Sequence, residues 1–139
     1  MGVWARIRAW AGSLLARGAG PRGEAEAERL LTRLGYRILG RNIRFAFGEI
    51  DLLAEDGPVI VVVEVKARRR DPSSPVASQR TRPEASITRR KARKLVRLMD
   101  AVCRANGWQS RPKRIDVVAV DFHTDGRTDV RHFKAAVGR

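Results

Sequence analysis

The stretch Phe47–Lys66, FGEIDLLAEDGPVIVVVEVK, decides how this chain folds. Two runs of strand-forming residues flank Asp56-Gly57, a dipeptide favoured in two-residue hairpin loops because both central positions tolerate positive φ. A loop centred there pairs Asp51 with Val62 and Glu49 with Glu64. Side chains alternate along a strand, so Glu49 and Asp51 share one face with Val62, Glu64 and Lys66. Asp51 and Glu64 become diagonal neighbours with Cβ atoms roughly 7 Å apart, and a cation fits between their carboxylates. A three-residue loop would slip the register and send Glu64 to the other face.

The second strand of this hairpin, Val59–Val65, is apolar on both faces apart from Glu64, the pattern of a central strand covered on both sides. A carboxylate there is costly to bury unless it is paired or holds a metal. Glu64 therefore reads as functional ahead of the alternative, a salt bridge to Lys66 or a nearby arginine. Upstream, Tyr36–Phe45 reads as a first strand with a bend or bulge at Gly40 and Asn42. From Glu24 to Leu34, Ala27, Leu30, Leu31 and Leu34 recur at helical spacing, and Gly35 stops the helix. Glu24, Glu26 and Glu28 crowd its first turns, where negative charge suits the helix dipole.

Downstream, Ala67–Ser86 holds Arg68, Arg69 and Arg70, three prolines and several serines, and reads as a long loop: either a DNA-contacting flap or a solvated linker. A second helix follows from about Ile87 to Asn106, with Leu95, Leu98, Met99 and Val102 on its apolar stripe, Cys103 beside it, and Asn106-Gly107 as its stop. Its first half carries Arg89, Arg90, Lys91, Arg93, Lys94 and Arg97. Between Lys66 and Arg97 twelve Lys or Arg stand against Asp71 and Glu84, an asymmetry that reads as a phosphate track. Lys113–Phe122 is a further strand, apolar on both faces. Thr124-Asp125-Gly126-Arg127 then turns the chain into an edge strand near Thr128–Phe133. His123 and His132 are isolated and read as surface or turn residues, and Asp116 as a partner for one of the arginines.

The order α-β-β-β-α-β-β, with the third and fourth strands joined through a helix, predicts a parallel crossover in an otherwise antiparallel five-stranded sheet. At 139 residues the chain is one domain by length. A single cysteine excludes a disulfide framework and a Cys-rich zinc site, and points to a reducing, cytoplasmic setting. The net charge of +14 and the pI near 11.5 point to nucleic acid. Aromatics at 6% favour phosphate contact over stacking on unpaired bases. No apolar run approaches a membrane span. Met1–Ala16 has Arg6 and Arg8 ahead of a short apolar run. That run is broken by Gly12 and Ser13, so an extension ending in the Gly18–Gly23 hinge is a better reading than a signal peptide.

An Asp on one strand and Glu-x-Lys on the next form a compact metal-hydrolase arrangement. Two hard carboxylates suit Mg²⁺ or Mn²⁺, and Lys66 is placed to position a water or stabilise developing charge.

The motifs Gly23-Glu24, Gly35-Tyr36, Arg41-Asn42-x-Arg44, Gly48-Glu49-Ile50-Asp51-Leu52 and Val63-Glu64-Val65-Lys66-x-Arg68 resemble the YraN-like family of bacterial proteins. The likeness runs over roughly residues 22–134 and extends through Lys91 and Asp116-Val117-Val118. That family is similar to the archaeal Holliday-junction resolvases and to the restriction-endonuclease-like fold with its PD-(D/E)xK motif.

The resemblance implies an α/β fold in which a central mixed sheet is flanked by helices. Residues 22–139 become one nuclease-like domain with a mobile basic loop at about 67–86, preceded by a flexible extension over 1–21. It implies metal ligation by Asp51 and Glu64, with the Val65 carbonyl as an added ligand, and a catalytic role for Lys66. It also makes Glu24 the acid that resolvase-like nucleases bring from the first helix, against the helix-dipole reading. Ile50 stands where the proline of the motif would be, and Glu49 is either an extra acid or a partner for Arg44.

The expected activity is a Mg²⁺-dependent endonuclease on DNA, including branched DNA. Arg44, Arg68, Arg69, Arg89, Arg90, Lys91 and Lys94 would be its nucleic-acid contacts. A non-catalytic nucleic-acid-binding module is the alternative. Resolvases act as symmetric dimers, so the resemblance also carries a homodimer, for which the sequence itself shows no clear face.

Overall fold

Pro58 sets the register of the central hairpin. In the computed structural model, which describes residues 20–71, 73 and 87–137, strand β2 (Gly48–Asp56) pairs antiparallel with β3 (Val59–Arg70), from Asp56 opposite Val59 to Leu52 opposite Val63. The loop is therefore Gly57-Pro58, with Gly57 at φ 57°, and not Asp56-Gly57. An Asp56-Gly57 turn would need residue 58 to donate its N–H back to Glu55, and proline has none. Moving the loop by one residue moves every partner by two, so the pairing differs from the expected one while the side chains from Leu52 to Asp56 and from Val59 to Val63 keep their faces.

The remaining elements are α1 (Gly20–Arg33), β1 (Arg37–Phe45), α2 (Arg89–Asn106), β4 (Lys113–His123) and β5 (Thr128–Phe133). The sheet order is β1-β2-β3-β4-β5. β3 and β4 run parallel from Ile60–Lys113 to Arg70–His123, and the other neighbours are antiparallel. Alternate residues of β3 feed two cores. Ile60 and Val62 pack with Leu95, Leu98, Met99, Val102 and Cys103 of α2. Val61, Val63 and Val65 pack with Ala27 and Leu31 of α1. The protein is thus α/β, a mixed five-stranded sheet with one helix on each face, consistent with the restriction-endonuclease-like class.

Several local expectations change. α1 begins at Gly20, which leaves no acid in its first turn and removes the helix-dipole reading of Glu24. It ends as expected at Gly35, with Tyr36 N–H bonded to the Leu31 carbonyl. Leu34, expected on the apolar stripe, is exposed. β3 runs on through Arg70, so Ala67–Arg70 are strand and not loop: each has a partner on β4, which holds them extended. The rest of the expected basic loop, apart from Asp71 and Ser73, lies outside the described residues, as do residues 1–19 and the calls made on them. α2 starts at Arg89 because the Thr88 side chain accepts the Lys91 N–H as an N-cap, and it ends at Gly107 in the left-handed region. Cys103 is a buried core residue. No helix among the described residues is long and apolar enough to cross a membrane.

Candidate metal and nucleic-acid site

The β2–β3 ladder stops at Leu52–Val63. One rung further on, Asp51 comes opposite Glu64. The Val65 N–H, which has no strand carbonyl to meet there, donates to Asp51 Oδ2 at 2.9 Å. The neighbouring strand is irregular nearby, at a bulge opposite Leu53 and Ala54 and at Asn42, level with Asp51. β1 shifts register between Ile38 and Gly40, the expected bulge, and Asn42 has φ 50°. Ile50 and Leu53, three residues apart, both pack on the α2 side, so alternation breaks between them and Asp51 sits in the break. This irregularity admits a carboxylate into a strand that is otherwise buried.

Asp51 and Glu64 are 8% and 6% exposed. Burial, then the charge of Glu64, push the Asp51 carboxyl up to about 8, against a lowering by the Val65 hydrogen bond. Glu24 adds to this rise. Its own carboxyl is raised by burial and by Glu49, and is restrained by the 3.2 Å hydrogen bond that Asn42 Nδ2 donates to it. Glu49 pairs with Arg44 at 3.2 Å, the second of the two roles expected for it. Glu64 Oε1 is 3.2 Å from Lys91 Nζ and 4.0 Å from Lys66 Nζ. The salt bridge considered for Glu64 thus exists, mainly with a helix lysine.

The donor chemistry fits a hard divalent cation. Burial and the Glu64 charge raise the proton affinity of Asp51, and Mg²⁺ is commonly held by one or two carboxylates with waters completing its shell. Among the described residues no three His, Cys, Asp or Glu side chains form a ready cage. Asp51 and Glu64 would be the direct holders, and Glu24, also expected as a metal ligand, acts on Asp51 through its charge.

A pocket of about 480 Å³ opens over Asp51 and Glu64, walled by Arg44, Phe47, Lys91 and Lys94. Gly48 lets Lys94 in: a Cβ there would come within 2.5 Å of Lys94 Cε. A neighbouring groove of about 350 Å³ is lined by Phe47, Arg90, Arg93, Lys94 and Arg97. Of the expected nucleic-acid contacts, Arg44, Lys91 and Lys94 gather at the pocket, Arg90 lies in the groove, and Arg89 is exposed at the start of α2. Arg68 lies 3.9 Å from Asp121, and Arg69 lines a separate pocket beside Pro21 and Phe122.

Sequence reasoning placed Asn42 at a bulge and in the Arg41-Asn42-x-Arg44 motif but gave it no part in the site, and it missed the Phe45-Ala46-Phe47 turn, whose paired aromatics were the available signal. It also misplaced His132. Far from a surface residue, its Nε2 lies 2.8 Å from the fully buried Asp116, which further accepts from Arg114 Nε at 2.8 Å and from the Ala135 N–H at 3.0 Å. Burial alone would raise the Asp116 carboxyl, but these donors outweigh it and hold it below the usual range. Asp116 does pair with an arginine, as expected, within a network that braces the sheet.

Residues 23–120 match the uncharacterised protein family UPF0102. A UPF0102 protein of Symbiobacterium thermophilum is 42% identical over 117 residues, covering 84% of this chain and 93% of that protein. One of Roseiflexus castenholzii is 44% identical over 100 residues, covering 70% and 74%. One of Anaeromyxobacter dehalogenans is 38% identical over 117 residues, covering 84% and 81%. With a match across most of the domain and relatives at this level of identity, the chain belongs to UPF0102, the YraN-like family that its motifs resemble.

Proposed function

We propose that the protein is a Mg²⁺- or Mn²⁺-dependent endonuclease that hydrolyses DNA phosphodiesters, with branched or otherwise structured DNA as its substrate class. The observation that carries this reading is the buried Asp51–Glu64 pair in a pocket rimmed by Arg44, Lys91 and Lys94. Bound there, the metal would polarise the scissile phosphate and lower the pKa of a water. The chain's own residues do the rest. Asp51, fixed by the Val65 N–H, and Glu64 hold the cation. Lys66, beside Glu64, stabilises charge on the attacked phosphate, and Lys91 and Lys94 fix the strand. Incubating purified protein and Mg²⁺ with junction, flap and single-stranded DNA tests this. Metal-dependent cleavage lost in Asp51→Ala and Glu64→Ala is expected, and cleavage indifferent to both would sink it.

Two observations favour a second reading, a nucleic-acid-binding module without turnover. Glu64 already has Lys91 as a counter-ion, and no third carboxylate among the described residues completes a cage. Binding that falls steeply with salt, ignores Mg²⁺ and is accompanied by no nicking would select it. A homodimer is part of the proposal through the resolvase resemblance, and light scattering in solution decides it.

A further inference from the structure

Most arginines of the sheet are matched to carboxylates: Arg37 to Glu55, Arg41 to Glu28, Arg44 to Glu49, Arg114 to Asp56 and Asp116, Arg131 to Asp121. The exposed face of α2 departs from this. Arg90, Arg93, Lys94 and Arg97 have no carboxylate within ion-pair distance among the described residues, yet all four line one groove. Such a concentration of unmatched cations on one helix face is a binding surface for phosphate groups. Lys94 and Phe47 wall both this groove and the carboxylate pocket, so the two are adjoining parts of a single track.

At their boundary stands the hairpin tip between β1 and β2. Phe45 and Phe47 stack with centroids 5.8 Å apart and planes inclined by 30°, and both pack on the α2-side core. The Arg97 guanidinium lies 4.6 Å from the Phe47 ring centroid. A flat cation resting on an anchored ring occupies the place a nucleobase takes when it stacks. A half-exposed cation–π contact is the weaker of the two interactions, so a base and a phosphate arriving together displace it favourably. The base takes the ring, and Arg97 turns to the phosphate.

We propose that the α2 groove binds the backbone phosphates adjoining the one held over Asp51 and Glu64, and that Phe47 stacks an unpaired base between them. A base inside duplex DNA has no free face to offer, so the protein selects DNA with an unpaired nucleotide at that step: a flap, a single strand or a junction with unpaired bases at its branch. This rests on the nuclease reading only for the direction in which the strand runs; the groove and the ring stand without it.

Equilibrium binding in EDTA tests it without cleavage. The probes are a single strand and a blunt duplex, each with an internal 2-aminopurine, and a duplex with a single-stranded flap carrying 2-aminopurine next to the branch. Phe47→Leu keeps the core contact and removes the aromatic face. It is expected to weaken flap and single-strand binding about tenfold, to leave duplex binding unchanged and to restore 2-aminopurine fluorescence. Arg93→Ala and Arg97→Ala are expected to weaken binding to all three probes and each to lower the salt slope by about 1. Equal affinity for duplex and flap, or a Phe47→Leu variant that binds and quenches like the parent, overturns the proposal even if the protein cuts DNA. Flap binding through Phe47 by a protein that never cuts supports it while overturning the nuclease reading. No binding to any probe overturns both.

Discussion

Lys91 Nζ, on α2, lies 3.2 Å from Glu64 Oε1, on β3, and is closer to it than Lys66 on Glu64's own strand, at 4.0 Å. A helix cation therefore occupies the position where a metal would compete for Glu64. Removing it in Lys91→Met should strengthen Mg²⁺ binding several-fold, read as a lower Mg²⁺ concentration for half-maximal thermal stabilisation. The same variant should bind DNA more weakly. Unchanged Mg²⁺ dependence would mean that Glu64 is not a metal ligand.

Asp51 binds its proton more tightly in the folded than in the unfolded protein, since burial and Glu64 push it up to about 8 from 3.8. The sign follows: the stability this provides is whole below about pH 4 and is lost as pH rises through about 8. Asp51→Asn keeps an oxygen for the Val65 N–H and never ionises. At pH 9 in EDTA it should melt on the order of 5 °C above the parent, with the difference vanishing near pH 4. Mg²⁺ should raise the parent's melting temperature and not the variant's. A variant less stable than the parent at pH 9 would contradict the electrostatic account.

Gly48 is needed for the placement of Lys94. In Gly48→Ala the new methyl meets the end of a flexible lysine at 2.5 Å and Leu98 Cδ1 at 3.4 Å, so the side chains give way. The expected cost in stability is about 0.5 kcal/mol. DNA affinity should fall several-fold and the salt slope by about 1, as one phosphate contact is lost. Denaturant unfolding and a salt titration of binding read the two effects separately.

Asp116 is fully buried among His132, Arg114 and the Ala135 N–H. Asp116→Ala should cost about 3 kcal/mol in urea unfolding, because it strands the donors around it. It should not change the Mg²⁺ requirement of any activity that survives. A loss of activity at full stability would move this network into the functional site.

How much of this was legible in the sequence depended on the range of the forces involved. Runs apolar on both faces gave β3 and β4 their central place, and helical spacing gave α2, because those patterns are local. The pairing of Asp51 with Glu64 was missed by two residues although the reason was printed beside it: Pro58 cannot close an Asp56-Gly57 turn. Parity saved the conclusion, since an even shift leaves both carboxylates on one face. The Lys91–Glu64 contact, the Asn42–Glu24 bond and the burial of His132 join residues far apart in the chain, and no local pattern announces them. The extension of β3 to Arg70 was hidden for the same reason, because only its parallel partner β4 holds those arginines straight.

That parallel pair also dictates an order of assembly. β2 and β3 meet through a two-residue loop, whereas β4 reaches β3 only after the chain has passed through the whole of α2. Closing so long a connection is slow relative to forming a hairpin. Asp51 and Glu64 therefore come together early, while still bathed in water, and lose that water only when α2 and β4 dock. The cost of the acidic pair falls on the last step of folding, where the proposed cation, if bound in the pocket by then, would offset it.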